Sequence, residues 1–234
     1  MHTESIDRLI QSVSFHHELV TNGLSADTLE AIETVSEARS FRDGDILYAQ
    51  GSVPSGVYRL KSGLVKISTS TPCGHRQVVY VYKPGDWLGY RQNFTLELHP
   101  IEGMAIGNVE TTFIPMEEFI RLVKARQDLL YNLLLTLSQE FSAWVNRTVY
   151  LAKFPVRVRL AIGLLFLDVQ FRESANEPAT ILFSRTDLAD MIGATIETTV
   201  RALGEFKENG WVTASGRTIR VKDRNALFDS IGAL

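Results

Sequence analysis

Along residues 128–153 the apolar positions Leu130, Leu134, Leu137, Phe141, Trp144 and Leu151 recur in alternating steps of four and three, with Thr148 as the one polar place in the series. Such steps keep side chains on one narrow stripe of a helix. A stripe that strict over three heptads predicts a seam between two like helices, hence a homodimer, rather than the broader face of a helix lying on its own domain. Leu129 and Leu133, one place to the side, are the residues expected to pack this helix onto its own domain. Neither glycine nor proline interrupts residues 116–153, and a short helix over 117–124 leads into the long one. Phe154 and Pro155 end it, because proline stops the helix before it and is tolerated in the first turn of the next; residues 153–155 form a hinge. A further helix follows, carrying Val158, Leu160, Ile162, Leu164 and Leu165.

Upstream the period shortens. Nine of the sixteen glycines and five of the seven prolines fall between Gly44 and Pro115, and they separate runs of strand length: 46–48, 56–60, 64–67, 77–82 and 111–114. Frequent turn residues between short apolar or alternating runs predict an antiparallel β-roll or jelly roll. Residues 24–35 have helical spacing and are expected to cover that barrel.

Downstream, Leu188, Met191 and Ile192 have helical spacing after Ser184, which with Asp187 forms a capping-box start. Ala189 is small enough for a second helix to cross closely, Gly193 supplies the tight turn, and Thr195 caps the next helix. Glu197, Thr198 and Arg201 then share one outer stripe, since residues three and four apart are neighbours on a helix. A carboxylate accepts from cytosine N4 and an arginine forks onto guanine O6 and N7, so Glu197 and Arg201 are candidate base contacts. The bland alternative is a solvated i,i+4 ion pair, which is compatible with base contact because it would pre-orient the arginine. Residues 211–221 read as a β-wing. The expected class is therefore α+β: an N-terminal antiparallel β-roll with flanking helices over 1–127, a dimerisation helix and hinge over 128–153, and a winged helix-turn-helix over 154–234.

Charge qualifies this picture. The net charge is −3, and residues 184–224 carry seven basic against six acidic side chains. Affinity for double-stranded DNA should thus rest on placed contacts rather than a polybasic field. A single cysteine, Cys73, excludes intrachain disulfides and a multi-cysteine metal or iron–sulfur site within one chain. No signal-like or membrane-length run occurs, so a cytoplasmic location without membrane contact is expected.

The order of these parts resembles the cyclic-AMP receptor/fumarate–nitrate regulator (CRP/FNR) superfamily of transcription regulators. The resemblance is carried by Arg42 to Leu47, Gly51, Gly56 to Lys66 and Lys83 to Gly89 in the β-roll. In the DNA module it is carried by Thr195 to Arg201, Leu203, Gly210 and the wing from Ser215 to Thr218. It implies a pseudo-palindromic operator, phosphate contacts from Arg185, Thr195, Thr198 and Arg217, and contact with RNA polymerase if the protein activates. It also implies an effector site, for which Tyr90, Arg91 and His99 are the candidates. The cyclic-nucleotide branch places a ribose-binding glutamate where this chain has Tyr90, and a phosphate-binding Arg-Ser pair where it has His99 and Pro100. Neutral histidine lacks the guanidinium fork and proline has neither hydroxyl nor N–H, so cyclic AMP is not the expected effector. The polar pair that meets adenine in that branch falls at Trp144 and Val145. The oxygen-sensing branch needs N-terminal cysteines that are absent here. The effector is thus unidentified, and no cofactor or metal is expected.

Two smaller features are read plainly. His16 and His17 diverge on a helix and have no partner at four residues, so they are expected as surface or cap histidines; Cys73 beside His75 is an exposed turn thiol. No His-x-His pattern with a carboxylate supports a jelly-roll enzyme. The competing class is a small-molecule-binding β-roll whose winged helix contacts protein; the outward Arg185, Arg201 and Arg217 argue against it.

Overall fold

The computed structural model describes residues 2–172 and 179–232. Its helices are α1 (His2–Val13), α2 (Ala26–Thr34), α3 (Tyr90–Thr95), α4 (Met116–Ala125), α5 (Gln127–Lys153), α6 (Val156–Gln170), α7 (Arg185–Ile192), α8 (Ile196–Glu208) and α9 (Arg224–Asp229). Its strands are β1 (Glu37–Phe41), β2 (Ile46–Tyr48), β3 (Gly56–Ser70), β4 (Arg76–Tyr82), β5 (Trp87–Leu88), β6 (Glu102–Pro115), β7 (Ile181–Leu182), β8 (Val212–Ser215) and β9 (Thr218–Val221). They form two compact units. One comprises Phe15–Gly74 and Tyr80–Phe141; the other comprises Met1–Ser14, His75–Val79 and Ser142–Leu234.

The first unit is an antiparallel roll with strand order β1-β6-β3-β4, β2 joining β6 and β5 joining β3. Where the sequence suggested two strands separated at Lys61–Gly63, the chain forms one 15-residue strand, β3, paired along most of its length with β6. The turn residues are absorbed by an irregularity: Ser62 faces Glu110 and Leu64 already faces Ile106. Gly63 sits there at φ +77°, and a Cβ on it would lie 2.3 Å from the Asn108 carbonyl oxygen. A turn signature in mid-strand thus marks a bulge rather than a chain reversal. β1 has no apolar alternation, which hides it from a periodicity reading; it is held by pairing with β6 at Glu37–Phe113 through Phe41–Val109.

The core of this unit gathers Val57, Trp87, Ile114 and Phe119 with Ile32 of α2 and Leu129 and Leu133 of α5. Helix α2 covers the roll, as its spacing predicts. Ser25 caps it by accepting the Thr28 N–H at 3.2 Å, and Asp128 of α5 accepts from the Ser25 N–H and the Thr28 hydroxyl, each at 3.0 Å.

In the second unit α6, α7, α8 and α9 pack around one another, with the three-stranded sheet β7-β9-β8 alongside. α6 is buried nearly all round from Leu160 to Gln170, which makes it the spine of the unit. Helix α1 packs here too, against α6 and α9. Arg147 of α5 is 8% exposed; it donates to the Val13 carbonyl at 3.0 Å and the Val79 carbonyl at 2.6 Å, with its guanidinium 5.3 Å from the centre of the Phe166 ring. One buried cation thus ties α1, β4 and α6 to α5.

The bulge gives a direct test. Gly63→Ala should lower folding stability by about 2 kcal/mol or more, because the left-handed φ and the Asn108 carbonyl both oppose a Cβ. Urea unfolding checks this; an unchanged midpoint would show that the bulge relaxes freely.

Candidate nucleic-acid interface

Helix α7 begins at Ser184, whose hydroxyl accepts the Asp187 N–H at 2.9 Å and donates to the Asp187 carboxylate at 2.7 Å. The acid accepts the cap's own hydroxyl, which ties the two ends of the expected box directly together. Gly193 closes the helix at φ +61°, its region donating back to Ala189. Thr195 caps α8 by accepting the Thr198 N–H at 3.2 Å. α8 buries Thr199, Ala202, Leu203 and Phe206 on one face. The opposite face carries Glu197 and Arg201 into solvent, flanked by Ile196 and Val200. Among the described residues Glu197 and Arg201 form no ion pair, so the alternative i,i+4 bridge is not made and both side chains stand in solvent.

Other cations hold this element in place. Arg157 of α6 pairs with Glu205 at 2.7 Å, donates to the Ser230 carbonyl at 2.8 Å and lies over the Phe206 and Trp211 rings. Arg159 donates to the carbonyls of Ile192 at 2.6 Å and Gly193 at 3.0 Å, and Gln77 of β4 donates to that of Met191 at 3.0 Å. These carbonyls sit at the C-terminal end of α7, where a helix leaves acceptors without partners and its dipole favours cations. Sequence reasoning missed these residues because their partners lie 33 to 114 positions away.

Arg217 is exposed at the tip of the wing, where Gly216 at φ +53° turns β8 into β9. Thr195 is exposed and Thr198 half-buried beside the cap. Arg185 is half-buried with its Nη1 out of solvent, and burial draws its pKa below the ordinary arginine value.

The candidate effector residues divide. Tyr90 and Arg91 converge on one carboxylate, Glu140 of α5: the Tyr90 hydroxyl donates at 2.5 Å and Arg91 Nε at 2.8 Å. His17 hydrogen-bonds the same carboxylate. His17 is fully buried, which corrects its reading as a surface or cap residue; the partner lies 123 residues on, beyond any local spacing rule. Burial alone would push the Glu140 carboxyl up, but the His17 hydrogen bond, the charges of His17 and Arg91 and the Tyr90 hydroxyl outweigh it and bring the pKa to about 2. His99 does not share this carboxylate. It is buried, stacked on Tyr48 at 4.5 Å between ring centres, and its backbone bonds Gly51 and Ser52. Burial pulls its pKa below the usual imidazole value.

On α5 the two faces differ sharply. Leu129 and Leu133 are 0% and 1% exposed, whereas Leu134 and Phe141 are 61% and 70% exposed. Leu130, Trp144 and Thr148 are exposed as well, while Leu137 and Leu151 are half-buried. Tyr131, Val145 and Val149, not read as part of the stripe, are exposed beside it and widen it.

Among the described residues no three His, Cys, Asp or Glu side chains gather as a metal site would require, and no helix is long and apolar enough to cross a membrane. A β-roll joined by a long helix to a capped helix-turn-helix with a wing defines a DNA-binding regulator. Residues 38–126 match the cyclic nucleotide-binding domain family and residues 158–229 the Crp-like helix-turn-helix domain family. The transcriptional activator protein Anr of Pseudomonas aeruginosa is 24% identical over 203 residues, covering 86% of this chain and 83% of the relative. The fumarate and nitrate reduction regulatory protein of Escherichia coli is 24% identical over 212 residues, covering 89% and 84%. FixK2 from Bradyrhizobium japonicum has the same fold, with a TM-score of 0.75 at 22% identity over 86% of this chain and 99% of that one. The chain belongs to the CRP/FNR superfamily and is a DNA-binding transcription regulator.

The Glu140 cluster predicts an acid limb. A carboxyl lowered from 4.5 to about 2 contributes stability that is complete above pH 4.5 and is lost as pH falls toward 2. Asp86 acts oppositely: burial raises it from 3.8 to about 6, so its contribution shrinks as pH rises through that window. Below pH of about 4 the Asp86 contribution no longer changes, and the acid limb is set by Glu140 together with Glu18 and Asp128, whose carboxyls are also held below their ordinary values by hydrogen bonds. Urea midpoints of the wild type should therefore fall more steeply in that range than those of Glu140→Gln; parallel limbs would contradict the assignment.

Proposed function

We propose that the protein is a homodimer that binds a pseudo-palindromic operator, with α5 as the dimer seam. The observation that carries this is the exposed apolar stripe of α5, running from Leu130 through Leu134, Phe141 and Trp144 opposite a fully buried face. An isolated stripe of this length in water is a cost that a second copy of the helix removes. Leu137 and Leu151, half-buried in the single chain, and Thr148 complete the seam. Two copies of α8 would then enter successive major grooves about 34 Å apart. Glu197 and Arg201 would read a G·C pair, while Arg185, Thr195, Thr198 and Arg217 would hold phosphates and set register.

The β-roll is assigned as the effector-responsive part, acting through the hinge at Lys153, Phe154 and Pro155. Tyr90 and Arg91 already hold Glu140, so any effector at this site competes with or builds on that carboxylate; its identity is open and cyclic AMP is disfavoured. A cytoplasmic location and contact with RNA polymerase, as for an activator, accord with the activator names of the relatives.

Two experiments test the reading. Phe141→Asp with Leu134→Asp should turn a dimer into a monomer in sedimentation velocity while leaving the far-ultraviolet circular dichroism intact; a persistent dimer would place the seam elsewhere. Glu197→Ala or Arg201→Ala should cost about 1–3 kcal/mol on the specific site and relax base choice, whereas Arg217→Ala should weaken all DNA alike and flatten the salt dependence. An unchanged specific-to-nonspecific ratio in Arg201→Ala would remove it from the base-reading set.

A further inference from the structure

The beginning of β4 belongs to the same compact unit as the helix-turn-helix, while the strand continues at Tyr80 into the sheet of the β-roll. Two adjacent residues there meet α7 one helical turn apart. Arg76 Nη1 lies 3.7 Å from Asp187 Oδ1, and Gln77 Nε2 donates to the Met191 carbonyl at 3.0 Å. The strand is itself anchored two residues on, where Arg147 donates to the Val79 carbonyl at 2.6 Å. None of these groups lies on the outward face of α8 that carries Glu197 and Arg201.

We propose that Arg76 and Gln77 are positioning residues for operator binding: they clamp α7, and through the Gly193 turn α8, at the angle a correctly spaced operator requires. The inference rests on the homodimer reading above. The chemistry suits a clamp. Met191 O is a terminal helix carbonyl that seeks a donor, Asp187 is an acid already fixed by Ser184, and both acceptors are partly or wholly shielded from water. The geometry supplies leverage. The 13 residues of α8 span about 20 Å, so a tilt of about 10° at the turn moves its far end by about 3.5 Å, close to the rise of one base pair. A loosened clamp would thus be felt as tolerance of wrong half-site spacing before it is felt as loss of fold.

The test uses the full-length protein and duplexes carrying the symmetric motif recovered from genomic fragments, with the half-site separation correct, one base pair longer and one shorter. Gln77→Glu keeps the side chain's size but removes its donor; Arg76→Ala removes the ion pair; Arg76→Lys should restore it. The wild type should favour one spacing. The Arg76→Ala, Gln77→Glu double variant should narrow that preference by about 5-fold or more, the lower end of what coupling between two sites usually contributes, with thermal melting and dimer mass unchanged and Arg76→Lys largely recovered. Equal spacing preference in the double variant and wild type would overturn the proposal, as would tighter binding at every spacing. A wild type that binds all spacings alike would instead sink the dimeric reading, and this proposal with it.

Discussion

Two opposite charges buried on the inner face of α5, Glu140 at 1% exposure and Arg147 at 8%, govern the rest of the molecule. An unpaired ion taken out of water costs several kcal/mol, so each must find partners in the fold or forbid it. Glu140 finds His17, Tyr90 and Arg91 in the β-roll unit. Arg147 finds the Val13 and Val79 carbonyls and the Phe166 ring in the unit of the DNA-binding helices. They stand seven residues apart, so they share a face, and that face fixes which side of α5 carries the exposed apolar stripe. A one-residue rotation of the helix that carried Phe141 into the place of Glu140 would dismantle the carboxylate cluster.

This arrangement links packing to regulation. In the proposed reading, an effector in the roll near Tyr90 and Arg91 would act on groups that already grip the long helix, so its binding energy would reach the proposed seam rather than a remote surface. In the other unit Arg147 holds the strand whose first residues touch α7. Among the described residues Glu197 and Arg201 form no ion pair, which in the proposed reading keeps the free energy of pairing available for bases.

Legibility in the sequence followed the range of the interactions. The apolar stripe of α5, the two capped helices, the Gly193 turn and the wing are readable because each is specified within a few residues by periodicity or capping chemistry. β3 reads as two strands in the sequence because Gly63 signals a turn locally, while its actual role is set by β6 some forty residues on. His17 reads as a surface residue for the same reason, since nothing near it in sequence reveals Glu140. Arg76, Gln77, Arg147 and Arg159 gave no signal at all: their acceptors are mostly backbone carbonyls, which carry no sequence identity. Departures from the family pattern at Tyr90 and His99 set the expectation that cyclic AMP is not the effector, and the structure adds that Tyr90 and Arg91 are engaged by the chain's own carboxylate.

The proposed function requires that this chain read DNA as a symmetric pair of α8 helices. The most direct measurement is selection of genomic DNA fragments by the purified protein at near-physiological salt, followed by sequencing of what is bound. Recovery of a motif with two-fold symmetry and half-site centres about one helical turn apart is the predicted result. Recovery of a single asymmetric site, bound by one chain, would contradict it.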